Sequence, residues 1–205
     1  MVSKPRLHNP CGGHPSLDFV NSIGRSPGRT GRERLTDYGA LLQWSVEAGT
    51  LEPAAAGALA ALAAADPAAA ATVLERARAL REALFAIFHA DLGGRPPPTA
   101  ARATFDAELE RALGHARVER RGDSWAWVWC DDRRLDAPLW PIARGAAELL
   151  VSPECGRIKE CDSATCLWLF VDHSRNHRRR WCEMSGCGNR AKVRRHRRRK
   201  ESAGG

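Results

Sequence analysis

From Thr36 onward the apolar positions recur at helical spacing. Tyr38, Leu41, Leu42 and Val46 share one side of a 3.6-residue repeat, with Thr36 placed to cap the start and Gly49 to end it. Pro53 suits the first turn of an alanine-rich helix to about Ala65. Asp66-Pro67 restarts a longer helix through Val73, Leu74, Ala77, Leu80, Leu84, Ile87 and Phe88, closed by Gly93-Gly94. Beyond the stiff Pro96-Pro97-Pro98 run, Thr99 opens a helix carrying Phe105 and Leu109 to Gly114. The period then drops to two. Trp125, Trp127 and Trp129 alternate with Ala126 and Val128, and Val118 lies across the Arg121-Gly122-Asp123 turn, so this stretch predicts a β-hairpin. Its aromatic face reads as a covered sheet face, with a stacking platform for bases as the alternative. Asp136-Ala137-Pro138 begins another helix that ends near Ser152-Pro153. The pattern therefore predicts an α+β chain: a mainly helical domain with a small antiparallel sheet at residues 1–153, then a small module at 154–205.

Composition narrows this picture only a little. With 43% hydrophobic and 27% charged residues, most of the chain falls outside the disordered and fibrous classes. The longest nearly apolar stretch, Ala54 to Ala65, is too short to span a bilayer. The opening MVSKPRLHNPCGGHP has no apolar signal core, so a cytoplasmic protein without a membrane partner is expected.

Charge changes the picture more. The net charge is +8, yet residues 174–205 hold 12 Lys+Arg against only Glu183 and Glu201, leaving the rest slightly acidic. Codon bias explains the preponderance of arginine over lysine. It does not explain why acidic residues nearly vanish from one segment. The tail is thus expected to meet a polyanion, with a merely solvated tail as the alternative.

Seven cysteines sit at 11, 130, 155, 161, 166, 182 and 187. Four form two pairs, Cys161-x4-Cys166 and Cys182-x4-Cys187, fifteen residues apart. Two close pairs around a short excursion supply the tetrahedral thiolate set that zinc requires. The 27-residue span is too small to bury a core without such a staple, and Trp168, Phe170 and Trp181 can pack around one Zn²⁺. Cys155, His173 or His177 could each replace one ligand. Cys11 and Cys130 read as small packing residues.

At these residues the chain resembles a known family. The run Cys182-Glu183-Met184-Ser185-Gly186-Cys187-Gly188-Asn189-Arg190-Ala191-Lys192 is similar to the CGNR zinc finger, named for the four residues from Cys187 to Arg190. Gly12-Gly13-His14, Leu17-Asp18-Phe19-Val20-Asn21 and Arg34-Leu35-Thr36-Asp37-Tyr38 resemble the ABATE domain that precedes it. The resemblance implies a bacterial, stress-related transcription regulator: a ligand-sensing domain followed by a zinc-dependent DNA-binding module.

In physical terms, a ligand pair on a hairpin and another at a helix start make a treble-clef-like zinc finger with four cysteine ligands. Zinc then fixes the angle at which a helix from Asn189 to Lys200 departs. Arg190, Arg194 and Arg197 follow i, i+4, i+7 spacing, with Lys192, Arg195 and Arg199 on a second stripe and Arg198 beside them. Like charge predicts fraying from about His196 unless phosphates relieve it. Arg175, Arg190 and Arg194 are the candidates for base reading, and Arg178, Arg179 and Arg180 for nucleic-acid backbone contact. Asn189 either caps the helix or supports a zinc thiolate from outside the ligand set. Loss of one ligand cysteine is expected to unfold the residues after about 154 and spare the body.

The N-terminal segment offers His14, Asp18 and Asn21. They read as structural residues, as the lining of an effector pocket or as a minimal acid–base set; no nucleophile motif or phosphate-cradling loop accompanies them, so no enzyme is expected. The Gly24–Gly31 segment, with Arg25, Arg29 and Arg32, reads as a solvated loop or a seat for an anionic effector. The leading reading is a DNA-binding regulator with an unknown small-molecule effector, for which a homodimer would help specificity. An RNA- or ribosome-associated zinc protein is the alternative, and a small-molecule enzyme the third reading.

Overall fold

The computed structural model describes residues 6–130 and 133–203. The chain is mainly helical, and the described residues form three small two-stranded antiparallel sheets. A 3-10 turn at Pro10–Gly12 leads into the short helix α1 (Pro15–Val20). His14 caps α1, its ring Nδ1 accepting from the Ser16 amide, and Pro15 sits in the first turn. Leu17, Phe19 and Val20 are fully buried. Next comes a hairpin, β1 (Ile23–Ser26) and β2 (Arg29–Glu33), where the sequence suggests a loop. Its Gly-rich strands approach so closely that a Cβ on Gly31 would lie 2.9 Å from the Gly24 carbonyl oxygen, which hides the usual strand signal.

Four helices follow: α2 (Tyr38–Glu47), α3 (Pro53–Ala65), α4 (Pro67–Leu92) and α5 (Thr99–Gly114). Asp37, rather than the expected Thr36, caps α2 by accepting from the Ala40 amide at 2.8 Å, while the Thr36 hydroxyl donates to that carboxylate. Asp66 caps α4, accepting from the Ala69 amide at 2.9 Å. The predicted hairpin forms as β3 (Ala116–Arg121) and β4 (Ser124–Trp129), pairing Val118 with Trp127. A 3-10 turn at Ala137–Leu139 then gives α6 (Trp140–Val151).

The tryptophan face is not covered. Trp125 is 70% exposed and Trp127 50%, with Val118 beside it at 51%. Only Trp129 reaches inward, packing on Trp140 at 5.8 Å, while the Arg144 guanidinium lies over Trp127 and Trp129. A two-stranded hairpin has no second layer to cover its face unless a neighbour supplies one.

The last elements are β5 (Ile158–Glu160), β6 (Leu169–Val171), a π-helical turn at Met184–Gly188 and α7 (Asn189–Ala203). The expected boundary at Ser152-Pro153 does not divide the core. Ile158, Leu169 and Val171 belong to the same apolar cluster as α1, α4 and α6. The buried Asn21 side chain seals this junction: its amide donates to the Leu169 carbonyl at 2.8 Å and its oxygen accepts from the Leu169 N–H at 3.0 Å. Trp168 donates to the Ile23 carbonyl at 2.9 Å from the same edge.

Candidate metal centre

Cys161 follows β5, and Cys166 precedes β6, so the first pair flanks the bend of a hairpin. Cys182 and Cys187 bracket the π-helical turn that opens α7. All four side chains are buried, and their Sγ atoms lie within 4.8 Å of one another. Cys166 and Cys182 are separated by 3.9 Å and Cys182 and Cys187 by 3.7 Å. A tetrahedron with Zn–S bonds of about 2.3 Å has sulfur–sulfur edges of about 3.8 Å, whereas a disulfide requires about 2.05 Å. The cysteines are therefore positioned to bind one Zn²⁺, and none of them is oxidised to a disulfide.

Electrostatics carries the same message. The side chains of Cys166 and Cys182 hydrogen-bond to the Cys161 sulfur and draw its thiol far down; the Cys182 amide adds a contact at 3.4 Å. Cys166 is pushed up, first by Cys161, and Cys182 is pushed up by Cys11, Cys161 and Cys166. One thiolate forms easily among these sulfurs; four require a cation. Four thiolates leave no open coordination position, which is the arrangement of a structural rather than a water-activating zinc.

Phe170, Trp168, Trp181 and Cys11 wall the cluster. Cys11, expected as an ordinary packing residue, does pack, but against the metal ligands. It lies far from all of them in sequence, and no spacing rule reveals such a neighbour. The alternative ligands lie elsewhere. His177, in a left-handed turn with φ 48°, uses Nδ1 on the Asp172 carbonyl. His173 is exposed beside Gly13 and Glu154. Cys155 donates to Asp91 at 3.4 Å.

Arg190, the exposed first-turn residue of α7, donates to the Cys187 sulfur at 3.0 Å. This support of the ligand is one of the two roles the sequence offers for Asn189. Asn189 instead donates to the Ser185 carbonyl at 3.1 Å and ties down the turn. Both belong to the Cys187–Arg190 motif, and each serves the cluster differently.

The excursion from 172 to 181 is organised by a buried carboxylate. Asp172 accepts from Lys159 Nζ at 2.7 Å, from the Ser174 amide and hydroxyl, and from the Arg179 amide at 3.0 Å. Burial alone would raise its pKa, but these donors hold the carboxyl well below the usual range.

Arg179 does not face solvent as a nucleic-acid contact would. Its guanidinium donates to the carbonyls of Cys11, Val171, Trp181 and Cys182 and stacks over Phe170 at 4.3 Å, bonding the N-terminal segment to the zinc turn. An arginine run gives no hint of which member turns inward. Arg180 is exposed but paired with Asp162 and placed over Trp181. Arg175, Arg178, Lys192, Arg195 and Arg197 are exposed, and Arg194 reaches Ser163 Oγ at 3.4 Å. The side chains of Arg198 and Arg199 lie outside the described residues. Helix α7 runs past His196 to Ala203, built of arginine and lysine, which are good helix formers.

The three N-terminal candidates make separate sets of contacts. His14 caps α1, and Asn21 holds Leu169. Asp18 accepts from the Gly12 amide at 2.7 Å and meets His8 Nε2 at 3.1 Å; burial raises its pKa. Gly12 is required there, because a Cβ would lie 2.8 Å from the Asp18 oxygen; Gly13 adopts φ 73°. His8 is the partner that the sequence reading misses.

Among the described residues no helix is long and apolar enough to cross a membrane. A comparison with curated proteins finds no match. Residues 157–200 match the CGNR zinc finger. Residues 13–153 match ABATE, described as "Putative stress-induced transcription regulator". With most of its length covered by that match, the chain belongs to the ABATE family and carries a CGNR zinc finger at its C-terminal end.

Proposed function

We propose that this zinc-binding regulator is a cytoplasmic transcription factor that binds DNA through α7 and responds to a small molecule held by its body. The observation that carries the reading is the basic helix. Zinc fixes the start of α7 at Cys187, and from there the helix presents exposed Lys192, Arg195 and Arg197. Exposed Arg175 and Arg178 add to the same charge. Phosphate neutralisation supplies the affinity; about six engaged side chains give a slope of log K against log salt of roughly −5. The body acts in regulation rather than catalysis: Asp18 and His14 are engaged in holding the chain together.

The test is binding of duplex DNA and structured RNA in competition, at matched salt, by the zinc-loaded chain. Preference for duplex DNA, abolished by truncation after Arg190, is the expected result. Preference for RNA would assign the helix to the RNA- or ribosome-associated reading, and undiminished DNA affinity after truncation would remove α7 from the interface. A single small finger reads few base pairs, so the proposal includes a homodimer on the DNA.

A further inference from the structure

Strand β4, Ser124-Trp125-Ala126-Trp127-Val128-Trp129, holds no charged residue, no proline and no glycine. Among the described residues it pairs with β3 on one side and with no strand on the other. Such an edge presents a row of unpaired N–H and C=O groups to any strand able to join it.

Which groups face outward follows from the ladder. The Cys130 N–H donates to the His115 carbonyl at 2.8 Å. Hydrogen-bonded pairs recur at every second residue of an antiparallel ladder, so Arg117–Val128, Glu119–Ala126 and Arg121–Ser124 exchange bonds across the hairpin. Trp125, Trp127 and Trp129 on β4, and Ala116, Val118 and Arg120 on β3, therefore turn their backbone groups outward.

The two edges differ. The β3 edge is guarded: Arg117, Glu119, Arg120 and Arg121 are exposed, and the Arg117 guanidinium donates to the outward Ala116 carbonyl at 2.9 Å. The β4 edge carries no charge and is self-complementary. Its tryptophans share one face, with Trp125 70% and Trp127 50% exposed, and Ala126 and Val128 share the other. Antiparallel pairing with its own copy, about a two-fold axis at Trp127, sets Trp127 opposite Trp127, Trp125 opposite Trp129 and Ala126 opposite Val128. Outward N–H groups then meet outward carbonyls, and aromatic rings meet aromatic rings across the axis.

We propose that β4 is a dimerisation edge, at which two copies of this chain join antiparallel into one four-stranded sheet, β3–β4–β4–β3. Trp125 and Trp127 leave on the order of 300 Å² of side chain uncovered on each copy, against roughly 800 Å² per partner in a standard interface. The dimer is therefore weak and reversible, and dilute protein is a monomer in which Trp125 is a surface residue. The inference gives the homodimer of the proposed function its interface and rests on that reading only for its link to DNA.

Sedimentation velocity on the zinc-loaded full chain without nucleic acid, from about 1 to about 500 μM, should show monomer converting reversibly to dimer. Trp127→Lys and Trp125→Lys should each weaken association by about tenfold or more, because each sets a charge into the aromatic row. Val118→Lys, on the same face but on the far strand, should leave it unchanged. Zinc content and melting temperature of the dilute proteins confirm that each variant is folded. Hydrogen exchange read by NMR should slow at the Trp127 amide on concentrating the sample and stay constant at the Val118 amide. A monomer at every concentration overturns the proposal, as does wild-type association in Trp127→Lys. Equal losses in Val118→Lys and Trp127→Lys overturn it in favour of stacked faces. Quenching of tryptophan fluorescence by single-stranded DNA in a chain that stays monomeric overturns it in favour of base stacking. Because no DNA enters the sedimentation arm, failure of duplex binding and failure of this interface are read separately.

Discussion

The side-chain amide of Asn21 stands where a neighbouring strand would, exchanging both of its hydrogen bonds with the backbone of Leu169. One residue at the end of α1 thus completes the edge of β6 in the zinc module. Around it, Leu169 and Val171 enter the core of the body, and Arg179 returns the contact by donating to the Cys11 carbonyl. The zinc module is built onto the body rather than hung from it, and the orientation of α7 depends on both.

Replacing Asn21 by Ala leaves a buried N–H and a buried C=O of Leu169 without partners. The expected cost is on the order of 3 kcal/mol, readable by urea unfolding. Asn21→Asp should be at least as costly, since a carboxylate cannot donate to the Leu169 carbonyl. A change within about 0.5 kcal/mol would show that the junction does not depend on this pair.

Arg178 and Arg179 are neighbours with opposite duties. Arg178→Ala should weaken polyanion binding while leaving the melting temperature where it was. Arg179→Ala strips four carbonyls of a charged donor and should lower the melting temperature by several degrees, the size expected for about 1–2 kcal/mol. Thermal scans and salt-dependent DNA binding on the two variants separate the roles; reversed outcomes would contradict the geometry.

The same pair marks where sequence reading stops. The four metal ligands are legible because zinc chemistry demands two close pairs, and the helices are legible because 3.6-residue periodicity records burial. Long-range partners leave no such trace. Nothing in the local pattern ties Cys11 to Cys182, His8 to Asp18 or Asn21 to Leu169. The hairpin β1–β2 is hidden by glycines, and the period-two tryptophans specify a strand without specifying a cover.

That uncovered face yields its own prediction. Trp125→Ser should change stability by no more than about 0.5 kcal/mol, as for a surface position, whereas Trp44→Ala in the core should cost about 3–5 kcal/mol. Chemical denaturation of the two variants checks the contrast. A large loss at Trp125 would mean that this face is covered in solution.

Cys155 gives a prediction in pH. Burial, and then the hydrogen bond and charge of Asp91, push its thiol up to about 11. The thiolate is the reactive form, so at pH 8 only about one molecule in a thousand is ionised at this site. Alkylation of Cys155, followed by peptide mass spectrometry on the zinc-loaded protein, should be slow at pH 8. It should accelerate about tenfold per pH unit until the thiol titrates. Rapid labelling at neutral pH would contradict the Asp91 contact.

Zinc K-edge X-ray absorption on the purified chain, with metal analysis on the same sample, addresses the metal cluster most directly. One zinc per chain, with four sulfur scatterers at about 2.3 Å, is the predicted spectrum. A first shell containing nitrogen or oxygen, or a metal-free protein with its cysteines joined in disulfides, would contradict the Cys161, Cys166, Cys182 and Cys187 cluster and the helix it aims.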